Sequence, residues 1–213
     1  MVFDLWGTLV PFRAAVSNSA MATIADDLGA GREDFARAWN AGYPERIIGD
    51  LESSLRRVCR EVGVVADDEA IRRALRIRIA AHAAMFQPRP EAEPVLRRLR
   101  ALGYRTGLVT NCSSEVPQLW RHGPLSGLVD AAVFSCTEGL RKPDPAIYAL
   151  AASRLGVEAG SCVFVGDGAD HELDGASAAG MHAVLLRPGD TDPPAQWAGP
   201  AITRLDDVFT HLP

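Results

Sequence analysis

From Glu91 to Leu186 the chain changes its apolar period at regular intervals, and this alternation limits the fold more than any other feature. Helical spacing runs over about Glu91–Leu102, near Ser114–Trp120, over Pro145–Leu155 and through Gly175–Ala179. Between these lie short apolar runs suited to buried strands: Thr106–Thr110, Ala131–Phe134, Cys162–Gly166 and Ala183–Leu186. Strands joined by crossover helices pair in parallel, and helices then cover both faces of the sheet. The prediction is an α/β fold, a doubly wound parallel sheet. The tail from Arg187 to Pro200, rich in Pro, Gly and Asp, reads as a loop. A last short strand and helix within Ile202–Leu212 pack at the sheet edge.

A further strand opens the chain. Met1, Val2 and Phe3 lead into Asp4, followed by Leu5-Trp6-Gly7-Thr8-Leu9. A carboxylate just past a buried strand stands at the carboxyl edge of the sheet, where α/β folds bind ligands. Three residues are short for a strand, so either the strand is truncated or residues upstream have been lost.

After Pro11 the pattern is helical as far as Phe86. One stripe is Val16, Ala20, Ile24 and Leu28, stopped by Gly29; a short segment around Glu33–Asn40 is broken by Gly42 and Pro44. A third stripe, Leu51, Leu55, Val58 and Val62, stops at Gly63. Asp67 and Asp68 are positioned to cap a last helix that turns Ile71, Leu75, Ile79 and Phe86 inward. The chain thus divides into an α/β core (1–12 and 88–213) and an all-helical domain of roughly four helices (13–87). Inserted straight after Asp4, those helices sit above the sheet edge and can act as a lid.

Composition removes several classes of function. A net charge of −5 over 213 residues gives no basic face for nucleic acid. The arginine clusters (Arg56, Arg57, Arg60; Arg72, Arg73, Arg76, Arg78; Arg97, Arg98, Arg100) sit among acids at helical spacing and read as solvated faces. Cys59, Cys112, Cys136 and Cys162 form no CxxC pair, which predicts reduced thiols rather than disulfides or a zinc site. The five histidines make no metal-binding spacing. There is no bilayer-length apolar run and no basic-then-hydrophobic start, so a cytoplasmic location is expected.

Three later stretches could bear chemistry. Thr110-Asn111-Cys112-Ser113 ends a strand with a hydroxyl and a run of amides suited to an anionic oxygen. In Arg141-Lys142-Pro143-Asp144-Pro145, two prolines stiffen the loop that carries an ammonium. Asp167, Asp170, Glu172 and Asp174 crowd the loop after Cys162–Gly166, and would repel one another without a cation or helix terminus among them. His171 and Cys112 read as a surface group and a packing group. Trp39, Tyr43 and Trp120 are open to either packing or lining a cleft.

These pieces, in this order, resemble the haloacid dehalogenase-like hydrolase superfamily. Asp4 through Leu9 is similar to its first motif, Thr110-Asn111 to its second, Lys142-Pro143 to its third, and Gly166-Asp167 through Glu172 to its fourth. The resemblance spans almost the whole chain. It implies a Rossmann-like core with a four-helix, C1-type cap between motifs one and two. It implies Asp4 as a nucleophile that forms an aspartyl-phosphate, and Mg²⁺ held by Asp4, the Trp6 carbonyl, Asp167 and Glu172, the last directly or through water. Thr110 and the Asn111 amide would bind phosphoryl oxygens of a small phosphorylated metabolite, and Lys142 would offset charge. A monomer or homodimer with no nucleic-acid or membrane partner is expected.

One position departs from the phosphatase pattern. Those enzymes carry a second Asp two residues after the nucleophile as general acid and base, a role worth ~10²–10⁴-fold. Here that place holds Trp6. The family's dehalogenases have an aromatic residue there, since halide leaves without a proton, and they take halide on a cap arginine, for which Arg46 and Arg13 are candidates. They work without metal and have largely lost the leading acid that this chain keeps as Asp167. The expectation is a phosphatase with an altered leaving-group range. The alternatives are a 2-haloacid dehalogenase-type hydrolase, or a weakly catalytic metal- or ligand-binding member.

Overall fold

The computed structural model describes residues 1–189 and 197–212, so the expected loop at 187–200 lies largely outside the described residues. In chain order, β1 (Val2–Phe3) precedes five helices: α1 (Ala14–Asp27), α2 (Arg32–Ala41), α3 (Tyr43–Arg46), α4 (Leu51–Glu61) and α5 (Asp68–Met85). Then come α6 (Ala92–Ala101), β2 (Gly107–Thr110), α7 (Val116–His122), β3 (Ala131–Phe134) and α8 (Ser135–Glu138). The chain continues through α9 (Pro145–Leu155), β4 (Val163–Gly166), α10 (Glu172–Ala178), β5 (His182–Leu186) and β6 (Ala201–Ile202). A 3₁₀ helix, Leu205–His211, follows. The six strands form one parallel sheet in the order β3-β2-β1-β4-β5-β6.

The strand residues show why this sheet holds. Successive side chains point to opposite faces, so each strand feeds two cores. Phe3, Leu108, Val165 and Val184 pack on one face with Leu96 and Leu99 of α6. Their neighbours Val2, Val109, Phe164 and Leu185 pack on the other with Ile147 and Tyr148 of α9. A sheet buried on both faces needs apolar residues at every position, which the strand sequences supply. β1 has two residues but is central, paired to β2 at Phe3↔Leu108 and to β4 at Phe3↔Val165. Two flanking bonds extend it: Gly107 N donates to Met1 O at 2.8 Å and Asp4 N to Val165 O at 2.9 Å.

The helices between β1 and α6 have their own apolar centre, built from Ile24, Phe35, Trp39, Leu55, Val58 and Ile71. Asp50 and Asp67 cap α4 and α5, each accepting a backbone N–H at 2.7 Å. Pro44 starts the single turn of α3, where a missing N–H costs nothing. No described helix is long and apolar enough to cross a membrane. All four cysteines are free thiols.

The structure corrects the reading of α5. Its buried face is Ile71, Ala74, Arg78, His82 and Met85, while Ile79 is 41% exposed. The sequence favours Leu75 and Ile79 because they are apolar, but the packed row is one residue out of register with them. Arg78 therefore leaves the solvated row that Arg72, Arg73 and Arg76 keep, and is 95% buried, with 5% exposure. Two boundaries also move: α7 starts two residues late, at Val116, and α10 starts three early, at Glu172.

The shifted row can be measured. Ile71→Ala is expected to cost about 2–5 kcal/mol in urea unfolding, and Ile79→Ala less than about 1 kcal/mol. Equal losses would restore the row expected from the sequence.

Candidate active site

Three adjacent strands end in the residues singled out above: β1 in Asp4, β2 in Thr110 and Asn111, β4 in Asp167. They meet where the strand order reverses at β1, the place where α/β sheets open a crevice. Local backbone keeps the approach close. Gly7 has φ +83°, and a Cβ there would stand 1.9 Å from Asp167 Oδ2. At Gly166 an added Cβ would meet Glu172 Oε1 at 2.1 Å.

Lys142 arrives on its own loop, and Asn111 holds it there. Asn111 Oδ1 accepts the Lys142 N–H at 2.8 Å, and Asn111 Nδ2 donates to the Lys142 carbonyl at 3.1 Å. The Lys142 ammonium donates to Asp4 Oδ1 at 2.5 Å and to Glu172 Oε2. All three side chains are at least 95% buried, with exposures of 4%, 5% and 0% for Lys142, Asp4 and Glu172. Asp170 and His171 take left-handed conformations, with φ +55° and +54°. Such strain in residues other than glycine gathers at functional sites. Here it turns the chain so that α10 begins at Glu172, whose Oε1 accepts the Gly168 N–H at 3.0 Å.

Charge and burial compete in this cluster. Burial pushes the Asp4 carboxyl up to about 6; Lys142 opposes that shift and Asp167 adds to it. Glu172 is pushed well above its ordinary range, first by burial. Burial works against the Lys142 charge too, but Asp4 and Glu172 outweigh it and hold the ammonium charged. Asp4, Asp167 and Glu172 each bring a carboxylate oxygen within 4.8 Å of the others, a hard-oxygen set of the kind that takes a divalent cation.

A cavity of about 360 Å³ opens over these groups. The core lines it with Asp4, Trp6, Asn111, Lys142, Asp167 and Glu172, and the helical segment with Trp39, Tyr43, Arg46, Arg78 and His82. A larger groove, about 630 Å³, runs past Leu75, Ile79 and Leu119 and contains none of the clustered acids. The Tyr43 hydroxyl joins helices to core at the cavity, donating to Asp170 Oδ2 at 2.5 Å, and beside the larger groove Leu51 N donates to Ser114 Oγ at 3.0 Å.

Most of the expected site residues therefore share one cavity, with two exceptions. Thr110 is fully buried behind Asn111 and does not line it, and Arg13 is exposed on the surface. Trp6 packs against Phe12, His82 and Phe86, with ring centroids 6.1, 5.4 and 5.7 Å away. Trp39 and Tyr43 line the cavity, whereas Trp120 belongs to the core. His171 and Asp174 are exposed, and Cys112 is buried, its thiol pushed up by that burial.

Sequence reasoning misses a polar group beside the cavity. His82 Nδ1 lies 2.7 Å from Glu115 Oε1, and Arg78 Nε lies 3.6 Å from the same oxygen. Burial would raise Glu115, but His82 and Arg78 outweigh it and hold the carboxyl low. The available signal was the spacing of Arg78 and His82, four residues apart and in step with Ile71 and Ala74.

The family model described as haloacid dehalogenase-like hydrolase matches residues 1–180. The chain belongs to that family. A phosphatase of Mycobacterium tuberculosis is 33% identical over 204 residues, covering 90% of this chain and 88% of its own. The (S)-2-haloacid dehalogenase 4A of Burkholderia cepacia is 27% identical over 92% of this chain and 86% of its own. A solved 2-haloacid dehalogenase from Pseudomonas syringae superposes with a TM-score of 0.75 at 25% identity, over 98% of this chain and 95% of its own. The haloacid dehalogenase-like chain is thus a hydrolase-family member with both phosphatases and dehalogenases among its relatives.

The buried ammonium gives a direct prediction. Lys142→Met leaves two buried carboxylates unpaired, which is expected to cost about 3–5 kcal/mol at pH 8. Asp4 already titrates near 6 with Lys142 present, and losing that ammonium moves it higher still. Lowering the pH to 5 protonates the acid and removes the need for a cation, so the deficit shrinks. Urea unfolding of both proteins at the two pH values checks this; a deficit that grows on acidification contradicts it.

Proposed function

We propose that the protein is a Mg²⁺-dependent phosphoryl hydrolase acting on a small phosphorylated metabolite. The convergence of Asp4, Asp167 and Glu172, with Lys142 bonded to Asp4 and Glu172, carries this reading. Asp4 would attack phosphorus in line: a P–O bond to Asp4 forms, and the P–O bond to the leaving group breaks with its electron pair. Water then attacks the same phosphorus, the Asp4–phosphorus bond breaks, and inorganic phosphate departs. Mg²⁺, held by Asp4, Asp167 and the Trp6 carbonyl, with Glu172 bound directly or through water, would withdraw charge from the phosphoryl oxygens when bound. Lys142 would balance the charge of Asp4 and the phosphoryl group, and the Asn111 amide would bind a phosphoryl oxygen. Thr110, set behind Asn111, would hold the strand end in place.

Residues 13–87 would form the four-helix cap of the C1 type, with 1–12 and 88–213 as the core. The Tyr43–Asp170 contact supports closure at this site. Within this reading the protein works in the cytoplasm as a monomer or homodimer, without nucleic acid or membrane.

Trp6 shapes the chemistry. An indole supplies no proton to a leaving oxygen, so groups that depart as stable anions are favoured. Dehalogenation is the second reading. The aromatic Trp6, the cavity-lining Arg46 and the Burkholderia relative favour it; the retained acidic trio does not.

A phosphatase and dehalogenase panel, with and without Mg²⁺, tests the choice. Wild type is expected to release phosphate from acyl and aryl phosphates with Mg²⁺ only, and Asp4→Asn to abolish release. Metal-independent halide release from 2-haloacids would select the second reading. Trp6→Asp is expected to raise alkyl phosphate turnover by roughly 10²-fold, as a restored general acid should. No gain in a folded, Mg²⁺-loaded variant would remove Trp6 as the limiting feature.

A further inference from the structure

Opposite the carboxylate cluster, the helical side of the cavity holds an excess of positive charge. Arg46 and Arg78 are each 5% exposed and line the same cavity as Asp4 and Lys142. Among the described residues Arg46 has one hydrogen bond, from Nη1 to the Trp39 carbonyl at 2.6 Å. Its guanidinium carbon lies 3.9 Å from the Trp39 ring centroid, so stacking fixes the plane of the group. Arg78 donates from Nη1 to Ser17 Oγ at 3.0 Å, while its buried Nε has no hydrogen-bond partner.

The local charges do not balance. Glu115 is the acid beside this pair, 3.6 Å from Arg78 Nε, and it also accepts the Ser113 hydroxyl and faces His82. Arg57, the next cation, is already paired with Glu61. Burial pulls the His82 imidazole below its ordinary value, and burial together with the Arg78 charge pulls Arg46 down to about 10. On the helical wall of the cavity, two guanidiniums against one carboxylate leave one positive charge without a neighbouring acid. A buried charge without a counter-ion is costly, and proteins keep one where a ligand supplies the partner.

We infer that Arg46 and Arg78 form a second anion subsite, which takes a carboxylate on the same molecule whose phosphoryl group meets Asp4. The inference rests on the phosphoryl hydrolase reading and names its substrate class: small phosphorylated carboxylic acids. One unmatched charge fits a carboxylate monoanion better than a second phosphate dianion. A planar guanidinium fork matches the two carboxylate oxygens. The cavity of about 360 Å³ has room for a molecule of this size.

The test compares 4-carboxyphenyl phosphate with 4-(methoxycarbonyl)phenyl phosphate in the presence of Mg²⁺. The ester is the better leaving group, so a preference for the acid reports recognition. Wild type is expected to favour the acid in kcat/KM by at least about tenfold, and Arg78→Met to bring the two within about threefold. Arg78→Lys serves if the Met variant fails to fold, because lysine lacks the fork and is expected to lower the ratio. Equal rates or an ester preference in wild type would overturn the subsite and leave the phosphatase reading standing. An unchanged ratio in the folded Arg78 variants would also overturn it. If neither ester is hydrolysed, the phosphatase reading fails, and calorimetric titration with benzoate decides the subsite. Saturable binding, weakened at least about tenfold in Arg78→Met, supports it; no binding to wild type overturns it.

Discussion

The arrangement of this protein depends on one buried ammonium. Lys142 lies between Asp4 and Glu172, and each of the three groups would be untenable alone at that depth. Together they bring the end of the first strand, a proline-stiffened loop and the first turn of α10 to one point. Asn111 fastens the lysine loop at both its N–H and its carbonyl. The strain at Asp170 and His171 is met by this network, since Asp170 itself accepts from Asn111 and Tyr43. The result is a cluster with more acid than base, open on one side to a cavity.

That cavity has two electrostatic ends. The core end is acidic and suits a cation and a phosphoryl group bound to it. The helical end is basic, with Arg46 stacked on Trp39 and Arg78 beside Glu115. A molecule with two anionic groups bridges such a space better than one with a single charge. Trp6 lines the same cavity, packed against His82 and Phe86.

Much of this was legible in the chain. The strands announce themselves because a doubly covered sheet demands continuous apolar runs, and all the core strands fall within a residue or two of their expected positions. Asp4, Asn111, Lys142 and Asp167 follow directly, since each ends a strand or sits in a proline-stiffened loop, and the strand order brings them together. What was not legible depends on tertiary contacts. Ile79 and Arg78 are adjacent, and hydrophobicity alone puts the wrong one inside; the row that starts in the apolar core at Ile71 and Ala74 reaches the cavity at Arg78 and His82, so α5 buries the arginine. Glu115 carries no sequence signal of its own, as Arg78 and His82 reach it from a helix more than thirty residues earlier. The early start of α10 is equally hidden, because two left-handed residues in sequence are visible only in the backbone.

The central claim is that Asp4, Asp167 and Glu172 enclose one divalent cation. Anomalous X-ray scattering from crystals soaked in Mn²⁺, a stand-in for Mg²⁺, addresses it most directly. The account predicts a single strong peak between the Asp4 and Asp167 carboxylates, absent from Asp167→Asn. A peak elsewhere in the protein, or none at saturating Mn²⁺, would contradict it.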